Sequence, residues 1–196
     1  MIKVIGFDLG DVLKKDPLKA LERKYWTGKV PLAAKQKFLR AIHKVDTGKA
    51  DEEFLVKTLH ETLTPHLSLE QIRKHLLTTK LLPPWRVLQK VQRHYPIAIL
   101  TNNFRNGPST YAKILKIDLS PYTVINSSLI GVRKPHKDFY RLALRRLGIR
   151  PEELLFIDDV PSNIAGAKKL GIPSFRYNQN MPQLREFMKR HGVRGL

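Results

Sequence analysis

No cysteine occurs among the 196 residues, which removes disulfides, zinc–thiolate centres and cysteine nucleophiles from consideration. Acid is scarce as well: 17 Asp and Glu stand against 36 Lys and Arg, a formal charge of +19. No apolar run is long enough to cross a bilayer, so neither a transmembrane helix nor a membrane partner is expected. A secretory h-region is also missing, because the first residues run straight into a strand pattern; a soluble, cytoplasmic protein is the expectation. Internal repeats and low-complexity tracts are absent. A positive excess of this size attracts phosphate groups, nucleic acid and anionic surfaces, and it carries no information about fold.

What is present is organised around IKVIGFDLGDVL, from Ile2 to Leu13. Ile2, Val4, Ile5, Phe7 and Leu9 make a near-continuous apolar run, the pattern of a parallel strand covered on both faces. The run ends on Asp8, Gly10 and Asp11. Taken alone, these residues are also compatible with an ordinary Asp/Gly turn after a strand.

Residues from Lys14 to Pro84 read as helical throughout. Pro17–Trp26 makes a short helix with proline near its start, and Pro31–Val45 follows with Phe38, Ala41, Ile42 and Val45 on one face. Gly48 breaks the chain, and Asp51–Leu63 is a further helix. Ser68 with Gln71 forms a capping box that opens the next one. Between Lys14 and Lys49 this segment holds 11 basic and 3 acidic residues, a large part of the charge imbalance. Pro83-Pro84 marks the return to a first domain. From there strands and helices alternate: strands over Pro96–Leu100, Tyr122–Asn126, Leu154–Ile157 and Pro173–Tyr177, with helices over Trp85–Tyr95, Pro108–Lys116, His136–Leu147, Pro161–Leu170 and Pro182–His191. Alternation of this kind predicts an α/β fold with a doubly wound parallel sheet. Residues 1–14 and 85–196 would form its core and residues 15–84 a helical cap inserted after the first strand.

Chemistry gathers at the strand ends. Asp8 follows the first strand, Thr101-Asn102 the second, and Asp158-Asp159 the fourth, while Lys134 precedes a helix. A parallel sheet brings all of these to one edge, where open α/β sheets bind ligands. Carboxylates crowded there repel one another unless a hard cation sits among them. Oxygen ligands without Cys or His suit Mg²⁺, with positions left for phosphate oxygens and water. Thr101, Asn102 and Lys134 then become donors for the remaining phosphate oxygens.

With FDLGDVL, IAILTNN, GVRKPHKDFY and LLFIDDVPSNIAGAKKLGI in that order, the chain resembles the haloacid dehalogenase superfamily over essentially its whole length. The resemblance implies a hydrolase in which Asp8 attacks phosphorus to form an aspartyl-phosphate that water then breaks. It further implies Mg²⁺ held by Asp8, the backbone carbonyl of Gly10 and Asp158, with Asp159 a ligand or just outside the ligand set. Thr101, Asn102 and Lys134 would hold the transferring phosphoryl group of a small, sugar-phosphate-like metabolite.

Phosphatases of this superfamily usually carry a second Asp two residues after the nucleophile, as general acid and then base. Here that residue is Gly10. Asp11 is adjacent in sequence, but its side chain is expected to point elsewhere. Three options follow: an acid supplied by the cap, a substrate whose leaving group needs little protonation, or weak activity. Two other functions stay open, a 2-haloacid dehalogenase and a catalytically weak, basic member that binds RNA or the ribosome. Weak, non-specific nucleic-acid binding is expected from the charge in any case.

Overall fold

The structure, a computed structural model, describes residues 1–26 and 30–196. Of the span expected to be helical after the first strand, residues 27–29 therefore lie outside the described residues. Strand β1 (Val4–Phe7) leads into four helices: α1 (Pro17–Tyr25), α2 (Leu32–Asp46), α3 (Glu52–Thr62) and α4 (Leu69–Leu77). Then come α5 (Pro84–Val91), β2 (Ile97–Thr101), α6 (Gly107–Leu115), β3 (Thr123–Asn126), the one-turn helix α7 (Ser127–Ile130) and α8 (Lys137–Leu147). The chain closes with β4 (Leu154–Asp158), α9 (Pro161–Lys168), β5 (Ser174–Arg176) and α10 (Met181–Arg190).

All pairings in the five-stranded sheet are parallel, in the order β3-β2-β1-β4-β5. Successive residues of β1 feed opposite faces, as the two-residue period of a strand requires. Ile5 and Phe7 pack with Trp85 and Leu88 of α5 and with Leu184 and Met188 of α10. Val4 packs with Phe139 and Tyr140 of α8 and Ile164 of α9. With both faces covered, β1, β2 and β4 are buried along their whole length, hence their unbroken apolar sequences. From β1 the order runs outward to β2 and β3 on one side, and to β4 and β5 on the other. That reversal opens a crevice at the C-terminal ends of β1 and β4.

Helices α1 to α4 bury a cluster of their own, built on Leu21, Phe38, Leu55, Leu59, Ile72 and Leu76. The Ser68–Gln71 capping box forms with both of its hydrogen bonds, 2.8 and 3.2 Å. Two details differ from the sequence expectation. The first strand stops at Phe7, because Asp11 adopts the left-handed region (φ 52°) and Leu13 and Lys14 turn back to donate to the Leu9 carbonyl. The stretch from Thr78 to Pro83 is not helical either. It runs antiparallel to residues 13–15, with Lys15 N donating to Lys80 O (2.8 Å) and Leu82 N to Leu13 O (2.9 Å). The two connections between the helical segment and the sheet are thus zipped together.

Candidate active site

Register sets the geometry. Phe7 lies level with Ile99 of β2 and Ile157 of β4, so the next residue, Asp8, emerges between the ends of both neighbours. Its amide is tied to the Ile157 carbonyl at 2.8 Å. Lys134 reaches the same point from the loop before α8, with its side chain only 1% exposed. Its ammonium donates to Asp8 Oδ1 (2.8 Å), Asp158 Oδ2 (2.6 Å) and the Leu100 carbonyl (2.6 Å), which uses all three protons. Burial alone would lower the pKa of Lys134, yet Asp158 and Asp8 hold it above the ordinary lysine value. Burial pushes the Asp8 carboxyl up to about 7, against the pull of Lys134, and the charges of Asp158 and Asp159 add to the effect.

The remaining predicted residues take distinct places. Thr101 is 1% exposed at the tip of β2 and lines the cavity over Asp8. Asn102 lines it too, but its side-chain amide is committed elsewhere: Nδ2 donates to Lys134 O (3.0 Å) and Oδ1 accepts from Lys134 N (2.9 Å). That side chain clasps the backbone of the lysine. Asp158 is similarly engaged: Oδ1 accepts from Val160 N (2.8 Å), and Asn163 Nδ2 adds bonds of 3.1 and 3.0 Å. Asp11 turns away, accepting from Asp16 N (2.9 Å) and pairing with Lys15 and Arg23, both at 3.4 Å.

Asp8, Asp158 and Asp159 bring carboxylate oxygens within 4.8 Å of one another. Asp159 pairs with Lys19 of α1 through Oδ2 (2.6 Å), while its Oδ1 is buried without a hydrogen-bond partner. Burial raises the pKa of Asp159 even so. An orphaned oxygen beside two more carboxylates, one of them held near neutrality by burial, is an arrangement short of positive charge. The residues fit a hard divalent cation.

Asp16 escaped sequence reasoning. A Cβ built on Gly10 would lie 2.8 Å from Asp16 Oδ2, so the Asp16 carboxylate stands where a side chain at position 10 would begin. Asp16 is the N-cap of α1, its Oδ1 accepting from Leu18 N (2.9 Å) and Lys19 N (3.4 Å). An Asp directly before a Pro-initiated helix is a legible capping signal. The fold-back at Asp11 that carries it over Gly10 is not.

Comparison with known proteins follows the same lines. The family of haloacid dehalogenase-like hydrolases matches residues 2–171. The glyceraldehyde 3-phosphate phosphatase of Methanocaldococcus jannaschii is 33% identical over 69 residues, 34% of this chain and 30% of that protein. The phosphoglycolate phosphatase of Escherichia coli K12 is 32% identical over 81 residues, 40% and 31% respectively. In each case the match spans less than half of the relative's own length. A magnesium- and phosphate-bound HAD-family enzyme from Bacteroides thetaiotaomicron superposes with a TM-score of 0.70 at 19% identity, covering 94% of this chain and 99% of that one. The L-2-haloacid dehalogenase of Xanthobacter autotrophicus gives 0.68 at 24% identity, covering 100% and 84%.

Proposed function

The chain belongs to the haloacid dehalogenase-like hydrolases, and from that premise we propose a Mg²⁺-dependent phosphatase of a small phosphorylated metabolite. The observation that carries this reading is the trio of Asp8, Asp158 and Asp159 with one buried oxygen left over. Asp8, the Gly10 carbonyl and Asp158 would hold the metal, with Asp159 a further ligand or just outside the set. Asp158 also fixes Lys134 and is itself held by Val160 and Asn163. When bound, the metal would offset charge on the phosphoryl oxygens and on Asp8.

The chain's own residues do the rest. An oxygen of Asp8 attacks phosphorus, the ester P–O bond breaks, and water then cleaves the aspartyl-phosphate to release inorganic phosphate and regenerate Asp8. Lys134 holds the nucleophile in place, Asn102 holds Lys134, and Thr101 presents its hydroxyl at the phosphoryl position. Asp16, standing over Gly10, delivers a proton to the departing oxygen and takes one back from the water that attacks the aspartyl-phosphate. Residues 15–84 serve as the cap that covers the cavity and keeps water out.

Lys19 supports a second reading. Its ammonium on Asp159, 2.6 Å away, is a cation already in the acidic cluster, as a metal-free 2-haloacid dehalogenase would need. A screen of phosphorylated metabolites and 2-haloacids, with Mg²⁺ and with excess chelator, separates the two. Turnover of a phosphoester that disappears on chelation and returns with Mg²⁺ is expected. Chelator-resistant halide release would replace the phosphatase by the dehalogenase.

A further inference from the structure

We propose that Lys14 is a specificity determinant that binds a carboxylate on the substrate's organic part, so that the preferred substrate is a short-chain phosphoester of a carboxylic acid. The proposal rests on the phosphatase reading above. It starts from a cavity of about 300 Å³ over Asp8, near the lower end of ligand-site volumes and suited to a few-carbon metabolite. Leu39, Ile42, Leu55 and Leu76 give it an apolar roof.

Four cationic side chains line this cavity, and three are neutralised. Lys134 pairs with Asp8 and Asp158, Lys19 with Asp159, and Arg133 with Asp46 at 3.3 Å. Lys14 makes no ion pair with any carboxylate of the described residues, although it is 2% exposed. Its ammonium sits 3.7 Å from the centroid of the Tyr111 ring and donates a single hydrogen bond, to Lys15 O at 3.2 Å. A buried cation with no carboxylate in ion-pair contact is costly: burial pushes the Lys14 pKa down, although Asp16, Asp8 and Asp11, farther off, act the other way. An anion arriving from the cavity removes that cost.

Placement favours recognition over chance. Lys14 bridges to both Gly10 and Leu81, so its backbone is pinned between the nucleophile loop and the return strand of the helical segment. The Tyr111 ring beneath it is clamped by its own hydroxyl, which donates to Leu76 O at 3.3 Å. A cation fixed this way gives up little freedom on binding. One unpaired ammonium matches one carboxylate better than a second, doubly charged phosphoryl group. The acids that share the cavity are accounted for. Asp46 has Arg133 and Asp16 caps α1; burial pushes Glu22 up to about 7, weakening it as an anion at neutral pH, and raises Glu52 as well.

The test uses non-hydrolysable phosphonates titrated into the Mg²⁺-loaded protein by calorimetry. The probes are 3-phosphonopropionate, propylphosphonate of the same length, and 2,3-dihydroxypropylphosphonate. The carboxylate probe is expected to bind about tenfold tighter than the alkyl probe, equivalent to about 1.4 kcal/mol. In Lys14→Met, which keeps the stem of the side chain, that advantage should fall to within about twofold. Equal binding of all three to the wild type overturns the proposal whether or not the variant folds. Preferential binding of the dihydroxy probe, or a carboxylate preference that survives Lys14→Met, overturns it too. If none of the probes nor inorganic phosphate binds, the phosphoryl site itself is wrong, an outcome distinct from loss of the carboxylate preference alone.

Discussion

At the scale of single residues, Asp8 and Asp16 divide the proposed chemistry. Asp8→Asn conserves volume but removes the charge needed for attack, so turnover should fall by at least about 10⁴-fold, while far-UV circular dichroism stays unchanged. Wild-type rates in that variant would remove the aspartyl-phosphate. Asp16→Ser keeps a good N-cap for α1, since serine caps about as well as aspartate, but it replaces the carboxyl by a much weaker acid. Alkyl phosphates should lose about 10²-fold in rate while aryl phosphates change little. Rates across esters of graded leaving-group pKa measure this, and an unaltered slope would clear Asp16 of the role. Putting the missing carboxylate back is not simple. In Gly10→Asp the new side chain begins 2.8 Å from Asp16 Oδ2, so the single variant should be slower than wild type. Combination with Asp16→Ser should recover part of the loss.

At the scale of elements, the helical segment meets the sheet edge through ion pairs that cross the cavity. Lys19 of α1 reaches Asp159 beyond β4, and Arg133, in the loop before α8, reaches Asp46 at the end of α2. Burial pushes Asp46 up to about 6 despite Arg133, and Glu22 of α1 up to about 7. Both acids therefore hold protons in the folded state at pH values where the unfolded chain has released them. Stability contributed by these groups is largest below pH ~4 and falls as pH rises towards 6 to 7, by up to about 1.4 kcal/mol per pH unit for each group. Asp46→Asn removes one of the two. Urea melts at pH 4.5 and 7.0, wild type against variant in the same buffers, should show a smaller loss of stability across that interval in Asp46→Asn. Equal losses would mean that Asp46 titrates at its ordinary value.

At the scale of the whole molecule, the +19 charge is concentrated away from the site in part. Lys37, Arg40 and Lys44 of α2 are exposed, and Lys35 is partly so. No helix of the described residues is long and apolar enough to cross a membrane. If the charge serves only general attraction, binding to RNA should weaken log-linearly with salt and be gone near 0.15 M, with charge reversal at these four positions lowering the slope. Fluorescence anisotropy of a labelled RNA across a salt series measures it. Tight binding that survives physiological salt would instead favour a nucleic-acid-binding role over metabolite turnover.

Local rules made much of this protein legible before any coordinates. Buried strands betray themselves by unbroken apolar runs, so β1, β2 and β4 were readable, and alternation with amphipathic helices implied the parallel sheet. The Ser68–Gln71 box needed only residues three apart. Parallel strands put their C-terminal ends on one edge, which was enough to bring Asp8, Thr101, Lys134 and the 158–159 pair together on paper. What each side chain does at that edge depended on packing between elements, about which periodicity is silent. Asn102 spends its amide on the Lys134 backbone, and Lys19 finds Asp159 from 140 residues away. Asp16 covers Gly10 because a left-handed residue at position 11 folds the chain back. Lys14, one more lysine in a basic segment by sequence, is a buried and unpaired cation only because Tyr111 and the return strand close over it. Secondary structure follows from neighbours in sequence, whereas hydrogen-bond and charge partners follow from neighbours in space, and only the folded chain supplies those.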